Sequence, residues 1–177
     1  FCLQARSAGS GGLDLELRLA RVPLAASSLL LDHDLHFSQY LDGTVAWNHA
    51  PGLEPTGHAA IEISAGEFGE IGDEDGQVAT DAGLIAFTLD RGELTGGRFD
   101  LPFPGRGGID LDFDISGVAL DGTGRLAGEL LVEFNDLSFL EALTAYYDNI
   151  GGSLATRLRL GGRVGDPVLD GRYELLD

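Results

Sequence analysis

Three carboxylates stand at alternate positions of one short segment, where they could bind a divalent cation. Asp110, Asp112 and Asp114 alternate with apolar residues across 109–115. Ca²⁺ accepts several carboxylate oxygens, but strand residues two positions apart are separated by roughly 7 Å. Because this spacing is too wide for one coordination sphere, we interpret the row as the solvated face of a strand.

The remaining candidates for chemistry are weaker. His33 and His36 have the spacing of two zinc ligands, but no second ligand pair follows and Cys2 is the only cysteine. The sequence has no nucleophile elbow, Walker loop or dinucleotide fingerprint. Among its 29 acidic residues, nothing singles out a catalytic pair. We therefore expect no enzyme activity, no cofactor and no metal site.

Alternation of apolar and polar residues recurs along most of the chain. Successive side chains of a strand point to opposite faces, so the pattern predicts strands with one apolar and one polar face. Asp-Gly and Arg-Gly turns are predicted at 41–44, 90–93, 120–124 and 169–172, between about nine to eleven antiparallel strands. We call the following set the apolar face: Leu15, Leu17, Val45, Trp47, Ile61, Ile63, Ile85, Phe87, Leu89, Phe99, Leu101, Phe103, Ile109, Leu111, Phe113, Ile115, Leu126, Leu130, Val132, Phe134, Leu158 and Leu160.

Two mainly β architectures would use such a face. In a β-sandwich, two apolar faces bury each other. In a long curved antiparallel sheet folded lengthwise, the face lines an open groove and contacts something that is not protein. Alternation alone does not distinguish the two. One or two short helices complete either fold, since helical spacing predicts a helix at about 138–147, capped by Ser138 and Glu141, and a weaker one at 22–31. The segment 65–82 is predicted to be a loop or an irregular edge.

Charge and length restrict the function. The net charge of −18 argues against nucleic acid and against anionic membrane surfaces as partners. No apolar run approaches the roughly 20 residues that a membrane-spanning helix needs. The chain begins at Phe1 and contains no methionine, so we expect an excerpt of a longer polypeptide. We treat 1–177 as a single β-groove domain with a weak internal repeat, 23–50 and 137–162.

Both repeat units resemble the TamB family. In the second unit, the matching elements are a short Leu-rich helix, then G-x-L-x-x-x-L-x-L-x-G from Gly152 to Gly162, then Pro167 to Gly171 in "DPVLDG". The segment "RVPLAASSLLLDHDLHFSQYLDGTVAWNHA" resembles the same unit near the amino-terminal end. TamB is the inner-membrane-anchored subunit of the translocation and assembly module and belongs to the AsmA-like superfamily. The resemblance is to the C-terminal portion of that family.

The resemblance implies a fold and a function. The implied fold is a β-taco, polar outside and with a hydrophobic groove inside. The implied function is that of one segment of a periplasm-spanning conduit, which moves phospholipid between the inner and outer membranes of a Gram-negative bacterium and is linked to outer-membrane protein assembly. The implied partners are phospholipid acyl chains, an Omp85-class β-barrel protein and neighbouring repeats of the parent chain. The alternative is a non-enzymatic module that docks the outer-membrane β-barrel partner.

Overall fold

The fold is mainly β, as predicted. The computed structural model describes residues 2–8, 12–25, 35–70, 77–117, 124–143 and 150–176. The strands are β1 (Cys2–Ala8), β2 (Gly12–Pro23), β3 (Leu35–Phe37), β4 (Tyr40–His49), β5 (Thr56–Ile63), β6 (Gly66–Glu70), β7 (Val78–Thr80), β8 (Gly83–Asp90), β9 (Glu93–Phe103), β10 (Gly107–Ser116), β11 (Arg125–Phe134), β12 (Ser153–Arg163) and β13 (Asp166–Leu176). A 3₁₀ helix comprises Ser138–Leu143.

Ten of these strands form one long antiparallel sheet. Their order is β1-β2-β4-β5-β8-β9-β10-β11-β12-β13, so neighbours in the sheet follow one another along the chain. The three short strands form a second sheet in the order β3-β6-β7. The large sheet is not closed into a barrel, because β1 and β13 remain its edges. The predicted long antiparallel sheet is confirmed, and β7 of the small sheet lies against β9 of the large one.

The pairing registers align the apolar face in rows that run across the strands. Ile85 of β8 lies opposite Ile61 of β5 and Phe99 of β9. The same row continues through Leu111, Leu130 and Leu158. Directly opposed side chains on one face contact each other and stabilise the sheet. The alternation within each strand thus becomes a continuous apolar surface across β4 to β12.

The two ends of the strands differ in their connections. At one end, the described connections are the short segments 50–55, 91–92 and 164–165. At the other end, three long connections carry the small sheet and the 3₁₀ helix: 24–39, 64–82 and 135–152. We call the first end the open lip and the second end the closed lip.

Glycines on the apolar side let the large sheet curl. A Cβ built on Gly43 would lie 2.2 Å from the carbonyl oxygen of Ala60, and one on Gly128 would lie 2.3 Å from that of Asp112. The neighbouring backbone therefore occupies the space where a side chain would point, so only glycine permits this close approach of the strands. Gly43 also has a φ of 154°. The predicted turn at 41–44 is wrong, because these residues lie inside β4.

Of the other three predicted turns, one is confirmed, one is wrong and one lies mostly outside the described residues. The turn at 90–93 is confirmed by Arg91–Gly92, whereas the turn at 169–172 is wrong because these residues belong to β13. At 171 the cause is again a close approach, since a Cβ there would meet the carbonyl oxygen of Arg157 at 2.2 Å. Most of the turn at 120–124 lies outside the described residues.

The predicted helices and loop need correction. The segment 138–143 forms a 3₁₀ rather than an α-helix, and 144–147 lies outside the described residues. In the segment 22–31, Val22 and Pro23 still belong to β2, where Val22 pairs with Leu41; Leu24 and Ala25 are 3₁₀, as a helix after Pro23 predicts, and 26–31 is not described. The predicted loop 65–82 contains β6 and β7, which were missed because each offers so few residues to an alternating pattern.

Candidate functional site

The closed lip has a small hydrophobic core of its own. Its buried residues are Val78, Phe103, Phe134, Leu137 and Phe139, each 1–7% exposed. The ring of Phe134 lies 5.1 Å from that of Phe103 and 5.0 Å from that of Phe139, centroid to centroid. These distances are typical of favourable aromatic pairs. At this end, the apolar face is covered by the protein itself.

Polar contacts hold the cover in place. The Asp136 carboxylate accepts a 2.9 Å hydrogen bond from the Ser138 amide at the start of the 3₁₀ helix. This bond lowers the pKa of Asp136, and Arg106, 3.8 Å away, acts in the same direction. Asp136 was not predicted in this role; the predicted cap by Ser138 and Glu141 stays a prediction, because the side chain of Glu141 is not described. On the small sheet, buried Gln39 donates to the Thr80 hydroxyl at 3.1 Å.

The open lip contains a cavity instead of a core. The cavity has a volume of about 320 Å³. Trp47 of β4 and Ile115 of β10 both line it, although three strands separate them in the sheet. In a flat sheet, these two residues would be about 19 Å apart. The shared cavity shows that the sheet curls around it. Its other lining residues are Glu54, Pro55, Phe87, Leu89 and Leu94.

The registers place every predicted residue of the apolar face on one side of the sheet. Ile63, Leu89, Phe103 and Phe134 are buried. The others are half-buried: Leu15, Leu17, Val45, Trp47, Ile61, Ile85, Phe87, Phe99, Leu101, Ile109, Leu111, Phe113, Ile115, Leu126, Leu130, Val132, Leu158 and Leu160. Three of the four buried residues lie toward the closed lip, whereas Leu89 lies in the wall of the open-lip cavity; the rest of the face is partly exposed.

One cavity residue, Leu94, was not predicted to lie on the apolar face. A β-bulge in β9 changes the side of the sheet on which this residue lies. The pairing of β9 shifts between Thr95 and Arg98, which brings Leu94 opposite Leu89 and Ile115. Strict alternation counted back from Phe99 would place Leu94 on the polar face. A leucine just after the Arg91–Gly92 turn was the available signal. Pro55 and Glu54 were missed because they lie in a connection.

The row of carboxylates has structural roles. Asp114 accepts a 2.7 Å hydrogen bond from the Gly96 amide and so holds the bulge. Asp110 lies 3.8 Å from the Arg98 guanidinium, which is also 3.7 Å from Asp100. Burial, followed by the neighbouring Asp100 charge, raises the pKa of Asp110. Within the described residues, no group of three His, Cys, Asp or Glu side chains could hold a metal ion.

The comparison with protein families identifies the chain. The family model described as "TamB, N-terminal domain" matches residues 1–175. The chain belongs to the TamB family. Membership connects it with the translocation and assembly module or with lipid transport, with the cell envelope, and with outer-membrane assembly machinery in general. No curated protein and no solved structure matches the chain.

The TamB match corrects one sequence-based expectation. We expected the C-terminal portion of the family, whereas the matching model is that of the N-terminal domain. The reason lies in the motif, a short helix followed by an alternating strand. It resembles the family at 21–50 as well as at 137–175, so it identifies the family without locating the segment along the parent protein. Separately, no helix among the described residues is long and apolar enough to cross a membrane.

Proposed function

We propose that this TamB-family domain carries the acyl chains of phospholipids on the uncovered part of its apolar face, as one segment of a conduit through the periplasm. The observation that supports this proposal is the cavity at the open lip, between Trp47 and Ile115. Its wall is mostly apolar, and most of the apolar face beyond the closed lip is only half-buried by the described residues. An acyl chain would bury the exposed remainder.

The energetics favour an acyl chain as the occupant. Each CH₂ group that leaves water contributes about 0.8 kcal/mol and requires no directed polar contact. The rows of half-buried side chains, such as Ile85, Phe99 and Leu111, offer that kind of surface across several strands. The domain would act by solvating the chain and not by reacting with it, so we propose no catalytic residue.

The charged residues on the polar face of the sheet also support the proposal. Asp112 is exposed and lies opposite Arg98 and Glu129. Charged residues on the outer face of a sheet keep it in water and discourage aggregation. Neighbouring repeats of the parent chain would extend the conduit, and an Omp85-class β-barrel at the outer membrane is the partner we propose for the complete protein.

The test is native mass spectrometry with lipid extraction of the chain purified from a Gram-negative host. We expect co-purifying phospholipid in the wild type and in Asp112→Asn, which changes the polar face. Phe113→Asp places a carboxylate on the apolar face, and Leu94→Asp places one on the cavity wall; both should be folded by circular dichroism but lipid-free. A lipid-free wild type, or equal lipid loss in all three variants, would contradict the proposal.

A second candidate function is that of an assembly module, favoured by the exposed edge strand β13. In that case, the apolar face is ordinary core and a partner strand adds to the sheet edge. The two functions differ in the fate of the Phe113→Asp protein. A docking module would unfold when a charge enters its core, whereas a lipid carrier would stay folded and lose its lipid.

A further inference from the structure

Glu54 is the charged residue in the wall of the open-lip cavity. The other lining residues are apolar: Trp47, Pro55, Phe87, Leu89, Leu94 and Ile115. Two backbone hydrogen bonds hold the connection that carries Glu54. The Leu53 amide donates to the Ala50 carbonyl oxygen at 3.0 Å, and the Gly92 amide donates to the Pro55 carbonyl oxygen at 3.2 Å. The connection 50–55 is therefore attached to the neighbouring turn, and an exposed carboxylate stays beside an apolar cavity.

The charges next to the cavity are mainly negative. Three of its lining residues have a carboxylate as their neighbour in the sequence, in the pairs Leu89–Asp90, Leu94–Glu93 and Ile115–Asp114. No lining residue has an arginine as its neighbour. Arg91, two positions from Leu89, has its guanidinium 3.2 Å from the Asp90 carboxylate. Among the described residues, no side chain forms an ion pair with Glu54. A cation beside Glu54 would therefore come from the ligand.

The headgroup of a lipid bound in this cavity would lie at the open lip. A charged headgroup stays in contact with water, because burial of an unpaired charge in an apolar site is very costly. At the closed lip, the core around Phe103, Phe134 and Phe139 covers the apolar face. The acyl chain, and not the headgroup, would point in that direction. The carboxylates near the cavity disfavour an anionic headgroup and favour one with a cationic group.

We propose that Glu54 binds the ammonium group of the bound phospholipid, so that the cavity selects headgroups with a primary amine over headgroups with a net negative charge. An ammonium group donates up to three hydrogen bonds, and those to a carboxylate are stronger than hydrogen bonds between neutral groups. This inference rests on the proposed function, because it concerns a lipid whose acyl chain already occupies the cavity. Phosphatidylethanolamine has the favoured kind of headgroup, and phosphatidylglycerol has the disfavoured kind.

The first test measures headgroup selection. The chain is incubated with vesicles of equimolar phosphatidylethanolamine and phosphatidylglycerol with identical acyl chains, and the lipid that remains bound to the protein is extracted and quantified. Phosphatidylethanolamine should be enriched on the wild type by roughly two- to fivefold, the effect of an exposed ion pair. Glu54→Gln should remove most of this enrichment, and Glu54→Lys should favour phosphatidylglycerol. Glu93→Lys is the matched control and should retain the enrichment, since Glu93 is exposed but does not line the cavity.

The outcomes separate this inference from the proposed function. A wild type that binds neither lipid would contradict the proposed function, and the inference with it. Bound lipid of the same composition in wild type, Glu54→Gln and Glu54→Lys would overturn the inference alone and leave the acyl chain as the recognised group. Equal changes in Glu54→Lys and Glu93→Lys would overturn the role of Glu54, because selection would then depend on overall charge.

The second test locates the contact. A carbodiimide couples a carboxylate to a primary amine that lies next to it, so it should join phosphatidylethanolamine to the wild-type chain. Mass spectrometry of the peptides should place the lipid on Glu54 and not on Glu93, and Glu54→Gln should lose this product. Coupling in equal yield at Glu54 and Glu93 would overturn the assignment.

Discussion

The closed and open lips are built from the same strands and the same alternation, yet they have different environments. At the closed lip, Phe134 is 6% exposed and packs against Phe103 and Phe139. At the open lip, Phe87 and Trp47 are half-buried around a cavity of about 320 Å³. The connections make the difference, because among the described residues the small sheet and the 3₁₀ helix Ser138–Leu143 both lie at the closed lip. The apolar face of an alternating strand becomes hydrophobic core where other segments cover it, and it is available as a binding surface where they do not.

The largest difference between the lips should appear in stability. Phe134→Ala removes a buried ring from the core of the closed lip and should lower the free energy of unfolding by about 3–5 kcal/mol. Phe87→Ala removes a half-buried ring from the cavity wall and should cost about 1 kcal/mol, because less of that ring is withdrawn from water. Urea denaturation of both variants measures the difference. Equal losses of unfolding free energy in the two variants would show that both lips belong to one hydrophobic core.

A substitution at one glycine, Gly128, should reduce the curl of the large sheet around the cavity. Gly128→Ala forces a Cβ to within 2.3 Å of the Asp112 carbonyl oxygen, so we expect a loss of about 2 kcal/mol and a flatter sheet with less bound lipid. Gly151→Ala is the matched control, since a Cβ there meets nothing within 4 Å. Thermal unfolding of the two variants provides the comparison, and similar melting temperatures would argue against close approach as the cause of the curl.

The cover of the closed lip should loosen in acid. The pKa of Asp136 is lowered by its hydrogen bond with Ser138. Its stabilisation is therefore fully present above the pKa of the unfolded chain, and it is lost as the pH falls through the lower pKa of the folded protein. Wild type should melt above Asp136→Ala at neutral pH, and the two should converge in strong acid. Asp136→Asn, which still accepts a hydrogen bond, should show less dependence on pH; a constant gap between wild type and Asp136→Ala would contradict this assignment.

The smallest expected effect lies on the polar face. Burial and Asp100 raise the pKa of Asp110. Its ionised form is therefore less favourable in the folded protein, and this penalty is present at neutral pH and lost as the pH falls below the pKa of the unfolded chain. Asp110→Asn should stabilise the protein by a few tenths of a kcal/mol at neutral pH, because the partly exposed site is screened by solvent. Asp114→Ala, which loses the bond to Gly96, should destabilise it instead.

The large sheet could be predicted from the sequence because alternation reports directly on which side of a strand is buried. The segment 107–116 became β10 with Ile109 and Phe113 on the apolar face, as predicted. Asp-Gly was a poor guide at Gly43 and Gly171, because there glycine permits close approach of strands rather than a turn. No local pattern shows which of the two cases applies.

The division of the apolar face could not be predicted from the sequence. Phe103 and Phe113 have the same alternation, and only the first is covered, by the 3₁₀ helix and β7. That cover depends on contacts between distant segments, such as Val78 against Phe103 and Leu137. The position of Leu94 on the apolar face also depends on contacts between distant segments, because the bulge in β9 is a shift in its register with the neighbouring strands.

Acyl chains should occupy the open lip and not the closed one, and Trp47 can test this directly by its fluorescence. It is the single tryptophan of the chain and lines the cavity. The measurement is its fluorescence with phospholipid brominated on the acyl chains, compared with unbrominated lipid. We predict strong quenching of Trp47, and little quenching in a Trp47→Phe/Phe139→Trp protein, whose reporter lies in the closed lip. No quenching at position 47, or equal quenching at both positions, would contradict the account.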